Sequence, residues 1–330
     1  MRKRTVLGIE STAHTFGIGI VDTKGNILAD IRDSFQPEAG RGFVPRELFD
    51  HHVKVAKKML VDALNEAKIK MEKIEAIAFS QGPGIPNALL VGASIARFLS
   101  IKFKKPLYGV NHCIAHIEIG KLATNAKDPI VVYTSGGNTQ IIGFAEGRYR
   151  VFGETEDIAI GNAIDTLARE MGLPPPYGPN FDKVAAKGKW IDMPYVVKGM
   201  DVSFSGLLTE AIKRVKEGAK IEDVAYSFME VSYAMLTEVT ERALAHTGKK
   251  EVLLVGGVAK SKRLQEMMRI MCEERGAKVF VVPSKWAGDN GVMIAWVGAL
   301  LLKTGAKPLS VKNSSIKQKW RTDDVDITWL

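Results

Sequence analysis

What this sequence lacks narrows it before any motif is read. It has two cysteines, Cys113 and Cys272, in 330 residues. A disulfide framework is therefore excluded, and both read as thiols of a reducing cytoplasm. Long hydrophobic runs are missing too: the longest clean one spans Val292 to Leu302, about half of the ~20 residues a membrane helix needs. The basic start Arg2-Lys3-Arg4 resembles a signal n-region, but the apolar stretch after it is only Val6-Leu7-Gly8-Ile9 before Glu10. The expected setting is intracellular, with no membrane contact. No stacked-aromatic nucleic-acid module is visible. The zincin pattern His-Glu-x-x-His is also absent, because Cys113 stands where the glutamate would follow His112, and this argues against a metalloprotease.

What is present describes a folded chain of two parts. Hydrophobic residues make up 46% and charged residues 25%, which excludes disorder and fibre. The length exceeds the ~250–300 residues at which one core stops growing, so two lobes are expected. A net charge of +9 leaves an acidic partner open, with nucleic acid the obvious candidate. The cations nevertheless read as scattered along many elements rather than gathered in one block.

The two parts share one grammar. Thr5 to Ile9 reads as a strand, Ser11 to Thr15 as a small hydroxyl-rich turn, and Gly17 to Val21 and Ile27 to Ile31 as two further strands. The pattern returns as Ile130 to Tyr133, a turn Thr134-Ser135-Gly136-Gly137-Asn138-Thr139, then Gln140 to Phe144 and Arg148 to Gly153. Later in each half a strand runs into a glycine loop and a helix: Ile74 to Phe79 with Gln81-Gly82-Pro83-Gly84, and Val252 to Val255 with Gly256-Gly257. A third strand-helix element follows, Leu107 to Val110 then a helix from Asn111, against Val279 to Val282 then a helix from about Asp289. The expectation is a duplicated α/β unit with mixed sheets and helices on their faces. The expected boundaries are 1–128 and 129–299, with 300–330 rejoining the first lobe. The glycine turns and third-element helix starts of both halves are expected to face one cleft.

Several residues carry chemistry. His112 and His116 are four apart at a helix start, so one face presents both imidazoles; a pair of satisfied buried histidines is the competing reading. Asp289 starts the matching helix of the other half and is expected to approach them across the cleft, and Tyr133 could add a phenolate. Such a nitrogen and oxygen set suits iron or zinc. The turn Ser135 to Thr139 offers backbone N–H groups without Cβ obstruction to a phosphate or carboxylate, or is simply a hairpin. Gly256-Gly257 would let an adenine or ribose approach. Asp165, on an otherwise apolar helix side, is either a satisfied cap or a ribose-binding group. The Pro174 to Pro179 stretch is expected to be a rigid loop.

The segments Gly8 to Thr15, Asn111 to His116, Tyr133 to Gln140, Gly161 to Asp165, Ser203 to Gly206, Gly288 to Gly291 and Arg321 to Asp324 stand in order. Together they resemble the archaeal and eukaryotic branch of the tRNA N6-adenosine threonylcarbamoyltransferases, over essentially the whole chain. That branch is the catalytic subunit of the KEOPS complex, once called a sialoglycoprotein endopeptidase. The resemblance implies the actin, Hsp70 and sugar-kinase fold of two ribonuclease-H-like lobes. It implies His112, His116, Tyr133 and Asp289 as metal ligands, for Fe(2+) or its rival Zn(2+). It further implies threonylcarbamoyl-adenylate on Tyr133, Thr134, Ser135, Gly136 and Gly137, with Asp165, Gly178, Asp182 and Ser261 contacting the nucleotide. Two positions depart from the pattern: Ser261 replaces an asparagine, and Arg41-Gly42-Phe43-Val44-Pro45 lacks a histidine at Val44.

The implied reaction is attack by the exocyclic amine of the adenosine beside the anticodon on the carbamoyl carbon, with AMP leaving. Glu10 or Asp165 could take the proton. The implied partners are tRNA and the KEOPS subunits: a small kinase or ATPase, a dimerising subunit and a helper. The rivals are an ATP-dependent small-molecule kinase of the same fold, which the histidine pair disfavours because magnesium prefers oxygen ligands, and a non-enzymatic nucleic-acid-binding protein.

Overall fold

A computed structural model describes residues 3–37 and 42–330; Arg2 and Arg41, named above, lie outside the described residues. In chain order the elements begin with β1 (Thr5–Glu10), β2 (Thr15–Asp22), β3 (Ile27–Ser34), α1 (Pro45–Glu66) and β4 (Ala76–Gly82). Next come α2 (Pro86–Phe103), β5 (Leu107–Asn111) and α3 (His112–Thr124). The second series opens with β6 (Ile130–Thr134), β7 (Thr139–Ala145), β8 (Arg148–Glu154), α4 (Ile160–Glu170) and α5 (Tyr177–Ala185). It continues through β9 (Val197–Lys198), β10 (Asp201–Val202), α6 (Ser205–Lys216), α7 (Ile221–Thr247) and β11 (Glu251–Val255). Its last elements are α8 (Lys262–Glu274), β12 (Lys278–Val281) and α9 (Ser284–Ala287), and α10 (Gly291–Thr304) follows.

The two large sheets have the same topology. The first runs β3-β2-β1-β4-β5 and the second β12-β11-β6-β7-β8, so each central first strand has an antiparallel neighbour on one side and a parallel one on the other. Antiparallel neighbours need only a tight turn, whereas parallel ones need a crossover. In the first series α1 and α2 supply the crossovers; in the second, α4 to α7 and then α8 do. The central strands β1 and β6 are buried almost throughout, which explains their near-continuous apolar sequence.

Contacts divide the chain into two compact units, residues 1–122, 146–149 and 288–330, and residues 123–145 and 150–287. This differs from the boundary expected at 299. Residues 288–299 belong with the first unit, because α10 packs on β1, β2 and β4. Glycines make that packing possible: a Cβ on Gly8 would stand 2.2 Å from the backbone of Ala295, and one on Gly19 would stand 2.3 Å from Val292. The helix thus lies backbone-on-backbone against the strands. Apolar groups dominate each core, with Ile9, Ile18 and Phe79 fully buried in one and Val132, Phe181 and Phe228 in the other.

The proline-rich stretch also differs from expectation. It is a loop only to Pro176, and α5 starts at Tyr177 with Pro179 inside its first turn. A helix's first turn leaves N–H groups unpaired in any case, so a proline there costs no hydrogen bond. No described helix is long and apolar enough to cross a membrane.

Candidate active site

In the first unit two asparagines set the geometry. Asn111 Oδ1 accepts from the backbone N–H of Cys113 at 3.0 Å and of Ile114 at 3.3 Å, capping α3. His112 and His116 then stand one turn apart, with ring centroids 4.7 Å apart and planes at 86°. Asn290 accepts from Met293 N–H at 2.9 Å and donates to the Gly288 carbonyl at 2.8 Å, which fixes Asp289 just before α10. Asp289 Oδ1 lies 3.2 Å from His116 Nε2 and 3.6 Å from His112 Nε2.

One donor atom from each of His112, His116 and Asp289 lies within 4.8 Å of the other two. The three donors converge on one point, both histidines are buried, and the set mixes imidazole with carboxylate. These residues fit a borderline divalent ion such as iron or zinc. Asp289 does not come from the other half, as the sequence suggested; all three donors belong to the first unit.

Behind His112 lies an orienting shell. Glu10 Oε2 is 3.1 Å from His112 Nδ1. Glu10 Oε1 accepts from the Thr12 hydroxyl at 2.6 Å and from Thr12 N–H at 2.7 Å. Because the Thr12 hydroxyl donates to Glu10, His112 Nδ1–H is shared between Glu10 and Thr12 Oγ, 3.2 Å away. That leaves Nε2 facing Asp289, the arrangement that metal-binding histidines use.

Electrostatics follow from the same contacts. Burial works against charge on His112, but the Glu10 and Asp289 carboxylates outweigh it and push its pKa up to about 9. His116 is lowered, chiefly by burial. Burial would raise Asp289, yet the charge on His112 and the bond from His116 hold it well below the usual carboxylate range. An ion arriving here would displace the His112 proton.

The second unit gathers a different group. Tyr133 and Thr134 end β6, both fully buried. Ser135 to Asn138 forms a tight turn closed by Ser135 N–H to Asn138 O at 2.8 Å and Asn138 N–H to Ser135 Oγ at 3.0 Å. Gly136 and Gly137 are exposed, and a Cβ on either would meet nothing within 4 Å. Helix α4 starts against this turn, with Gly161 N–H donating to Ser135 O at 3.2 Å and Ile160 N–H to Thr139 Oγ at 2.9 Å. The positive end of its dipole therefore points toward the glycines. Asp165 is half-buried one turn further along α4. Gly256 takes φ +93° and lies so close to Thr134 that a Cβ would stand 2.2 Å from its carbonyl oxygen, while Gly257 is open.

Asp182, Ser261 and Tyr233 form a second cluster in this unit. Burial raises the Asp182 pKa, eased by the Ser261 hydroxyl beside it. Tyr233 is pushed above its usual value by burial and then by the Asp182 charge. Ser261 Oγ is buried outside normal hydrogen-bond geometry. Gly178, in the first turn of α5, has open space where a Cβ would go.

Sequence reasoning missed Thr12, Asn111, Asn290 and Tyr233. The asparagines carried a readable signal, since each stands at a helix start. Thr12 and Tyr233 carried none, because their roles arise from partners distant along the chain.

A family model described as tRNA N6-adenosine threonylcarbamoyltransferase matches residues 26–296. The chain belongs to this family. The threonylcarbamoyltransferase of Thermococcus kodakarensis is 54% identical over 325 residues, 98% of this chain and 99% of that one. A Methanobrevibacter smithii protein named as a probable bifunctional tRNA threonylcarbamoyladenosine biosynthesis protein is 51% identical over 324 residues, 98% of this chain but 60% of its own. Among solved structures, the activator of 2-hydroxyisocaproyl-CoA dehydratase from Clostridium difficile, with bound ADPNP, aligns with a TM-score of 0.53. That alignment covers 94% of this chain and 100% of the activator at 13% identity, a likeness of fold. The duplicated topology and this likeness agree on the actin, Hsp70 and sugar-kinase class. The chain is thus a transferase that acts on tRNA, which sets aside the kinase and non-enzymatic readings.

Proposed function

We propose that this chain moves the threonylcarbamoyl group from threonylcarbamoyl-adenylate to N6 of the adenosine beside the anticodon in tRNAs that read ANN codons, releasing AMP. The observation that carries this reading is the His112, His116 and Asp289 set, backed by Glu10. These three side chains would hold Fe(2+) or Zn(2+), and a bound ion supplies Lewis-acid polarisation of an oxygen. The second unit supplies groups suited to the adenylate. The Gly136-Gly137 turn presents open backbone to a phosphate, and the α4 N-terminus turns its positive dipole end toward it, where negative charge grows as AMP leaves. Tyr133, Thr134 and Ser135 flank it, and Asp165, Gly178, Asp182 and Ser261 take the nucleoside part.

In the transfer, the N6–carbon bond forms as the bond between the carbamoyl carbon and the phosphate oxygen breaks. The exocyclic amine is conjugated into the adenine ring and is a weak nucleophile, so holding both substrates in register supplies much of the rate. Both Glu10 oxygens already accept hydrogen bonds, which suits it poorly to take up the N6 proton. We assign it to orienting His112. Ser261 Oγ, beside Asp182 and Tyr233, stands where the family carries an asparagine and offers the nucleotide one hydroxyl.

The fused second activity named in the Methanobrevibacter relative supports work alongside partner proteins. We propose a KEOPS assembly with a small kinase or ATPase, a dimerising subunit and a helper, in the cytoplasm. The test is mass analysis of nucleosides from tRNA incubated with the chain, its partners and threonylcarbamoyl-adenylate. The expected product is adenosine heavier by one threonylcarbamoyl group, with AMP released in equal amount; hydrolysis of the adenylate without tRNA modification would overturn the reading.

A further inference from the structure

The cations that looked dispersed along the sequence include one concentration. From Gly291 to Thr322 there is no acidic residue, while Lys303, Lys307, Lys312, Lys317, Lys319 and Arg321 all fall in that stretch. Six positive charges here are set against a net +9 for the whole chain. All six side chains are exposed. Arg321 is held by Asp323 at 3.0 Å; none of the five lysines forms an ion pair among the described residues.

Lys303 lies in the last turn of α10, and beyond that helix the backbone that carries the other five is irregular but fixed. It runs as a strap from the start of β5 to the ends of β4 and β5. Leu309 N–H donates to Leu107 O at 2.8 Å, and Lys317 N–H to Gln81 O at 2.7 Å. Gln81 Nε2 donates to Ser315 O at 2.6 Å, and Arg97 Nε to Ser314 Oγ at 2.8 Å. At Gly82, with φ +153°, a Cβ would stand 1.9 Å from Lys317 O, so strap and strand end touch through backbone alone. A strap held this way loses little further entropy when a ligand binds, which favours affinity.

Its far end has the mix that suits single-stranded RNA. Lys317 Nζ lies 4.1 Å from the Trp320 ring centroid. Lys317, Gln318, Lys319, Trp320 and Asp324 line an open depression. Lysines can meet phosphates while an indole face meets a base. The depression is also tied to the site: Asn111, the cap of α3 beside His112, donates through Nδ2 to Trp320 O at 3.3 Å and to Arg321 O at 3.2 Å. Gln318 O accepts from Gly84 N–H at 3.2 Å, and Ile85 N–H donates to Thr12 O at 2.8 Å.

We propose that this strap, from Lys307 to Arg321, is the surface that grips the phosphate backbone of the tRNA and leads its anticodon loop to the site. The proposal rests on the transferase reading above. The test compares Lys312→Gln/Lys317→Gln/Lys319→Gln with a control that removes three exposed lysines elsewhere, Lys54→Gln/Lys57→Gln/Lys70→Gln, in the full chain with its partners. The strap variant is expected to bind tRNA about tenfold more weakly at ~0.1 M salt and to flatten the log–log salt dependence by about 2, as loss of three phosphate contacts requires. Its kcat at saturating tRNA and its metal content should stay within about twofold of wild type, as for an interaction that binds ground and transition states alike, and the control should change neither affinity nor slope. Unchanged affinity in the strap variant, or equal weakening in the control, overturns the proposal. Binding is read separately from transfer, so a chain that grips tRNA through the strap but transfers nothing would contradict the functional reading and leave the surface standing.

Discussion

The turn after β1 and the turn after β6 occupy the same place in two copies of one topology, yet they are built for opposite ends. Ser11 and Thr12 are buried, and Thr12 is spent on bonds to Glu10 and His112. A Cβ on Gly92 would stand 2.1 Å from Ser11 Oγ, so helix α2 closes directly over that turn. Gly136 and Gly137 face open space. One copy has turned its loop inward against Glu10 and His112, and the other has left its loop open. The shared fold provides the position, and local polar partners decide the use.

The largest effect that tests this contrast comes from adding one methyl group to each side. Gly92→Ala should act through the fold, costing about 1–3 kcal/mol of stability through overpacking against Ser11. Gly137→Ala should melt within about 0.5 kcal/mol of wild type, as exposed sites do, while its affinity for a stable adenylate analogue falls sharply. Thermal melts and titration calorimetry separate the two; an unchanged analogue affinity in Gly137→Ala would remove the open turn from the binding account. A middle effect belongs to Glu10→Gln, which should weaken metal retention by about 10–100-fold, as lost orienting partners do. Competition with a chelator measures it, and full retention would mean that the inward turn braces nothing.

The smallest effect is one of pH. His52 Nε2 donates to Ala13 O at 3.0 Å and so holds the inward turn from beneath. Burial, with the neighbouring His51 charge, lowers His52 from 6.5 to about 4. Its folded pKa is below the unfolded value, so the neutral form is favoured and its contribution is complete above about pH 6.5. That contribution is lost as pH falls from 6.5 towards 4. His52→Gln should flatten the stability profile across that window, and an identical profile would show that another group titrates there.

Much of this was legible in the sequence, for identifiable reasons. The strand–turn–strand grammar was readable because short, nearly continuous apolar runs bounded by turn residues leave local marks. The histidine pair was readable because i, i+4 spacing is local. Asp289 lies beside the two histidines but was assigned to the wrong unit: the packing of α10 depends on Gly8, Gly17 and Gly19, whose partners lie far along the chain. Pro179 misled because a proline's effect depends on its place in the helix. The strap was missed because its lysines are spaced two to five residues apart, and hydrogen bonds to residues far along the chain, such as Gln81, Gly84 and Asn111, draw them beside the site.

The most direct test of the central claim is to purify wild-type chain and His116→Ala under anaerobic conditions, then measure bound metal and threonylcarbamoyl transfer to tRNA on the same samples. The account predicts close to one iron or zinc per wild-type chain, and neither metal nor transfer in a His116→Ala protein that remains folded. Wild-type transfer by a metal-free, folded His116→Ala chain would contradict it.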